Sequence, residues 1–263
     1  MQETFPKPRP EWLLAALVMA AGCSEPRIPV SIPFEASFNG SPVHCDSDGV
    51  ALNDLRLYVS GVSAEMADGR RQALPLVEDS SWQNTSVAMI DLENGAGACN
   101  DGTPERNDTL RVFWPRGDVK RLSLTIGVPF EHNHADPLQA AAPLDDSAMH
   151  WHWRSGYKFL RAGVETADDG FWLHLGSTGC KGTTGNITEC TQPNRVTIEL
   201  EGFVAGRSAA VVHLDELFYA VDLGDGAPGD CSSGPLETSC ETVFANLGLG
   251  ETTARPWLTL EAR

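Results

Sequence analysis

No apolar run in this chain is long enough to cross a bilayer, which takes about 20 residues; the longest begins at Trp12 and ends before Cys23. Basic residues are scarce. Only 19 Lys and Arg stand against 36 Asp and Glu, a formal net charge of −17, and that balance argues against nucleic acid and anionic lipid surfaces as partners. Contiguous signatures of chemistry are missing too: there is no Cys-x-x-Cys, no His-Glu-x-x-His, no Gly-x-Ser-x-Gly and no histidine-rich tract. These gaps exclude a metalloprotease helix and a nucleophile elbow. No acid, base and nucleophile set is legible elsewhere, so the expectation is a binding protein and not an enzyme.

What is present begins at the N-terminus. Lys7 and Arg9 precede Trp12 to Met19, which runs into Ala20-Ala21-Gly22-Cys23. A charged start, a short apolar core and small residues before a cut describe a secretory signal over residues 1–23. Ala-Ala-Gly-Cys also reads as a lipobox, with Cys23 diacylated as the mature N-terminus. Lipoprotein and simple secretion stay open as readings. Either places a single β-sandwich domain of residues 24–263 in the periplasm or at the outer membrane of a Gram-negative envelope, with membrane attachment only through a lipid at Cys23.

Export makes the remaining six cysteines disulfide candidates. Cys180–Cys190 and Cys231–Cys240 bound short Gly-, Thr- and Ser-rich loops, and Cys45–Cys99 follows by elimination. Strand signals dominate: residues 27–38, 54–62, 86–92, 109–114, 121–128, 157–164, 171–175, 195–203 and 209–213 carry alternating or β-branched patterns between turn residues. The fold class expected is all-β, an antiparallel β-sandwich with long disulfide-stapled loops at 93–108, 129–150 and 223–250. Helical periodicity is confined to Leu214–Phe218, where Asp215 is the expected cap.

Five of the seven histidines and three of the seven tryptophans fall between Phe130 and Cys180. Neutral imidazole suits copper and zinc, so this belt is where a metal site would be assembled from separate strands. On a regular strand His150 and His152 share one face and Trp151 takes the other. Asp136 is read either as an acceptor orienting His134 or as a turn residue before Pro137. His213 and Asp215 read as a structural pair, Ser177 as part of a tight turn, and Asp222-Leu223-Gly224-Asp225-Gly226 as a loop rather than a calcium site.

Three stretches in order carry a resemblance: Gly127-Val128-Pro129-Phe130 with Asn133-His134-x-Asp136-Pro137, Met149-x-Trp151-x-Trp153-x-x-Gly156-Tyr157-Lys158-Phe159, and His174-Leu175-Gly176-Ser177-Thr178-Gly179-Cys180. In these the chain, from about Phe34 to Leu260, resembles the MbnP-like proteins of methanobactin operons, also called metallo-mystery-pair four-Cys-motif proteins. The resemblance implies a periplasmic copper-binding protein in which a tryptophan is oxidised to kynurenine by a partner di-haem, peroxidase-like enzyme of the MbnH type. Carried over by motif, His134 and His174 are the implied histidine ligands and Trp151 is the implied modified residue. Trp153 comes second, and Trp172 third through its Trp172-Leu173-His174 pair. His150 and His152 have no place in the motifs. The alternative is a metal-free carbohydrate- or peptide-binding module of the outer membrane, with Trp151 and Trp153 as a stacking surface.

Overall fold

The computed structural model describes Met1 and residues 28–166, 170–221, 230–234, 238–250 and 254–263. The expected signal segment with Cys23 and the Asp222–Gly226 stretch lie outside the described residues. In chain order the strands are β1 (Ile28–Phe38), β2 (Ser41–Pro42), β3 (Ala51–Met66), β4 (Arg71–Ala73), β5 (Val87–Asp91), β6 (Thr109–Trp114) and β7 (Val119–Ile126). A single helical turn, α1 (Phe130–Asn133), precedes β8 (His150–His152), β9 (Gly156–Glu165), β10 (Gly170–Gly176), β11 (Thr178–Thr183), β12 (Asn186–Gln192), β13 (Val196–Glu201) and β14 (Ser208–His213). The chain closes with α2 (Leu214–Leu217), α3 (Thr238–Leu247) and β15 (Leu258–Ala262).

The smaller sheet runs β15-β14-β1-β2, with β6 on the first half of β1. The larger runs β10-β9-β3-β7-β13, with β4 and β5 on β3 and β8 on β9. Ile32, Phe34, Leu55, Leu57, Leu160, Leu173, Ala210 and Trp257, from both sheets and the closing segment, meet in one buried cluster, so the fold is the expected all-β sandwich. One pairing departs from the antiparallel expectation: β1 and β14 run parallel, Phe34 opposite Ala210 through Ser37 opposite His213.

The larger sheet is also covered on its outer face, which explains why β3 is buried without a break from Asp54 to Ser60. Alternation puts Leu55, Leu57 and Val59 in the core and Tyr58 on the other side. There Tyr58 joins Val87, Met89, Val128, Leu144, Met149, Tyr157 and Phe159 in a second apolar cluster. The long 129–150 segment roofs it. Tyr58 Oη donates to Pro143 O at 3.0 Å and Tyr157 Oη to Leu144 O at 2.6 Å.

All three disulfides form as the spacing suggests: Cys45–Cys99, Cys180–Cys190 and Cys231–Cys240. Their sequence separations of 54, 10 and 9 give loop-entropy contributions of about 4, 3 and 3 kcal/mol. The short staples are therefore the less costly ones to open. Two expectations are corrected. The 223–250 insertion is not all loop, because α3 buries Cys240, Val243 and Leu247 along one face. Asp215 does not cap α2; His213 occupies the cap position with no side-chain hydrogen bond.

Candidate metal centre

The site begins with how α1 and the β8–β9 hairpin are joined. Asn133, the last residue of α1, is buried. Its Oδ1 accepts from Tyr157 N at 2.8 Å and its Nδ2 donates to Ser155 O at 3.0 Å. Gly156 makes this approach feasible: it sits at φ +80°, and a Cβ there would fall 2.2 Å from Asn133 O. His134 follows directly, half-buried, with the Phe130 ring edge-on at 4.8 Å. Its Nε2 lies 3.2 Å from Asn133 Nδ2 and 3.4 Å from Cys190 Sγ. Its Nδ1 is buried with no hydrogen-bond partner. Burial lowers the pKa of His134. The Asn133 amide has only protons to offer, so Nε2 accepts from it and the proton of the neutral ring sits on Nδ1, where it reaches no acceptor.

His174 stands on β10 at the end of a cross-strand row. Register places Asp91 opposite Arg56, Arg56 opposite Arg161, and Arg161 opposite His174, so all four project from one face. On its other side β10 is held by the 230–233 segment: His174 N donates to Cys231 O at 2.8 Å, and Ser233 Oγ donates to His174 O at 2.8 Å. Burial, then the charges of Arg161, Lys158 and Arg56, push the His174 pKa down to about 4. The imidazole is thus neutral at physiological pH, and its Nε2 is buried with no partner.

Two indoles flank this imidazole. Trp151 meets it edge-on at 6.3 Å and Trp172 at a tilt at 6.1 Å. Trp151 reaches it because β8 is irregular: the register shifts between His150 and His152, which breaks strict alternation. The indole lies against the Gly176 backbone, where an added Cβ would come within 3.1 Å of the ring and 2.8 Å of Tyr157 O. Gly176→Ala is therefore expected to move the Trp151 ring and cost about 1–3 kcal/mol. Near-UV circular dichroism and a denaturant midpoint read both effects, and unchanged values in the two would refute the packing. Trp172 lies over Gly163 with the Arg161 guanidinium 5.9 Å from its centre.

The other sequence candidates have separate environments. Trp153 meets His152 at a tilt at 5.4 Å, with the Arg154 guanidinium 4.9 Å from its ring centre. His150 packs edge-on against Tyr157, and His152 is exposed with Nδ1 accepting from Arg154 N. Asp136 does not orient His134: its carboxylate caps a 3-10 turn at Pro137–Gln139, accepting from Leu138 N and Gln139 Nε2. His213 pairs with Ser37, Thr259 and Glu261 rather than Asp215. Ser177 is not in the expected tight turn: it joins β10 directly to β11 and donates to Pro193 O at 3.0 Å.

Trp151 and His174 are therefore brought together. His134 faces the Cys180–Cys190 ribbon that leaves the same end of β10. Among the described residues no ring contact or hydrogen bond joins the two imidazoles. What they share is a buried ring nitrogen that no protein group satisfies, which the interior rarely tolerates without a ligand. The chemistry fits a metal ion of the copper or zinc type: neutral imidazoles supply borderline-soft donors. Unmodified indole offers no lone pair for a metal. Sequence reasoning missed the ionic row and the contact of His134 with sulfur, since both depend on long-range register.

The fold and these residues define a disulfide-stapled β-sandwich protein with a histidine–tryptophan cluster at one end of its larger sheet. The MbnP family model matches residues 27–233, and the chain belongs to that family. It is similar in structure to MbnP from Methylosinus trichosporium, with a TM-score of 0.77 and 26% identity over 90% of this chain and 99% of that one. No curated protein matches it.

Proposed function

We propose that this is a copper-binding protein of the cell envelope, not an enzyme, whose site uses His134, His174 and the Trp151 position after its conversion to kynurenine. The observation that carries the reading is the pair of buried, unpartnered imidazole nitrogens, His134 Nδ1 and His174 Nε2, with Trp151 against the second. Kynurenine replaces the indole by an aniline nitrogen and a ketone, which would give the Trp151 position a donor. A di-haem, peroxidase-like partner supplies the oxidising chemistry. With peroxide the balance is tryptophan plus two hydrogen peroxide to N-formylkynurenine plus two water, cleaving the indole C2–C3 bond. Water then releases formic acid and leaves kynurenine.

The electrostatics favour Trp151 over Trp172 as the residue oxidised. Drawing an electron from Trp172 places positive charge beside the Arg161 guanidinium, a like-charge contact in a partly buried setting. Among the described residues Trp151 has no cation over its ring. Export and a lipid at Cys23 suit a reaction with an envelope partner.

Mass spectrometry tests the assignment. Protein made with the di-haem partner is expected to show one carbon exchanged for one oxygen in the peptide carrying Trp151, and protein made alone to show none and bind copper weakly. The change appearing instead in the Trp172 peptide would move the residue but keep the class. No tryptophan changed, together with no copper retained by the protein made with the partner, would return it to the metal-free binding-module alternative.

A further inference from the structure

We propose that Cys180, Cys190 and His134 form a second metal site, for a thiophilic d10 cation of the zinc(II) type, once a dithiol opens the Cys180–Cys190 bond. The donor atoms of these three residues all lie within 4.8 Å of one another. His134 Nε2 is 3.4 Å from Cys190 Sγ. An ion with sulfur at about 2.3 Å and nitrogen at about 2.0 Å in tetrahedral geometry sets that edge at roughly 3.5 Å. The imidazole already stands where a shared ion needs it; the two sulfurs must part, and the Asn133 Nδ2 bond to Nε2 must yield to the ion.

Three features single out this disulfide. Cys190 is half-buried and Cys180 is 8% exposed, whereas Cys45, Cys99, Cys231 and Cys240 are at 2%, 0%, 0% and 3%. A reductant therefore meets Cys180–Cys190 first. The β11–β12 ribbon does not depend on the crosslink to keep its register. Thr178 pairs with Gln192, Lys181 with Glu189 and Thr183 with Asn186 around the cysteine pair. Side chains repeat the pattern, with Thr178 Oγ1 on Gln192 Oε1 at 2.9 Å and Lys181 Nζ on Glu189 Oε1 at 2.8 Å. Finally, His134 is fixed by elements outside the ribbon, through Asn133 and Phe130, so it stays put when the sulfurs separate.

The step balances. A dithiol reduces the bond to two cysteine thiols and becomes a cyclic disulfide. The divalent ion then displaces two thiol protons and takes Nε2 as its third donor, leaving a fourth position for water. The site shares His134 with the copper reading but uses the other ring nitrogen, and it needs neither His174 nor Trp151.

The test uses the full protein, reduced briefly with dithiothreitol under argon, desalted, and titrated with cobalt(II) as the probe. Alkylation mapping is expected to find Cys180 and Cys190 free and the other four cysteines bonded. One equivalent of cobalt should then give tetrahedral d–d absorption with thiolate charge transfer. His134→Ala should weaken it at least tenfold, and Cys180→Ser with Cys190→Ser should abolish it. His174→Ala should leave it unchanged, which separates this site from the copper reading. The proposal is overturned by no cobalt spectrum in the reduced protein, by a spectrum equally strong in His134→Ala, or by the other disulfides opening first with loss of the β signal.

Discussion

His174→Ala is expected to lower copper affinity by at least about 100-fold, since even outer groups around a metal are worth 10–100-fold and the proposed site takes a donor from this residue. A chelator competition of known affinity measures it. The fold should survive, with stability changed by about 1 kcal/mol or less, because the buried Nε2 makes no protein hydrogen bond that the variant would lose. Trp172→Phe is the internal control: it removes the other flanking ring and should alter affinity little. Proton competition sharpens the result. The His174 pKa sits near 4, below the ordinary histidine value, through burial and the nearby Arg161, Lys158 and Arg56. The donor is then still neutral at pH 5, where exposed imidazoles are mostly protonated, and copper binding should persist there. Full affinity retained in His174→Ala would remove this residue from the site.

The strands were legible where one face is buried. Alternation marked 54–62, and the structure extends that strand to Ala51–Met66. Its ends were not legible because its partners change from β9 to β7 along its length. The disulfides followed from the spacing of the six cysteines. The ribbon Thr178–Gln192 was hidden because its residues are mostly exposed and give no hydrophobic period. The α3 helix was hidden because its apolar residues sit inside a Gly- and Ser-rich region. Motifs brought His134, Trp151 and His174 into view as candidates. The row that surrounds His174 with charge was invisible, since Asp91, Arg56 and Arg161 are neighbours only through the pairing of three strand pairs.

That row carries the largest expected effect on stability. Arg56 is 2% exposed, and so are Asp54 and Asp91; Glu93 is fully buried. The guanidinium donates to Asp54 at 2.9 and 2.6 Å and stands 3.9 Å from Glu93 and 3.8 Å from Asp146. Burial opposes its charge, but Asp54 and the other carboxylates outweigh this and raise its pKa. Arg56→Leu fills part of the volume but strands buried carboxylates; among the described residues Asp54 keeps a direct ion pair, to Arg161 at 3.0 Å. The expected loss is about 3–5 kcal/mol, the range for breaking one side of a buried pair. Its pH dependence has a definite sign. Burial, then the charge of Glu93, push the Asp91 pKa up to about 8, so the folded state holds a proton that the unfolded chain releases between about pH 4 and 8. This group's contribution therefore falls as pH rises through that window. Without Arg56 the carboxylates hold protons more tightly still, so the deficit should be larger at pH 8 than at pH 5. Guanidinium midpoints at the two values decide it; a deficit that shrinks with rising pH would mean that Arg56 is not what compensates these charges. The same variant should weaken the positive field at His174 and let its pKa rise, which connects the packing of the outer face to the protonation of the proposed copper donor.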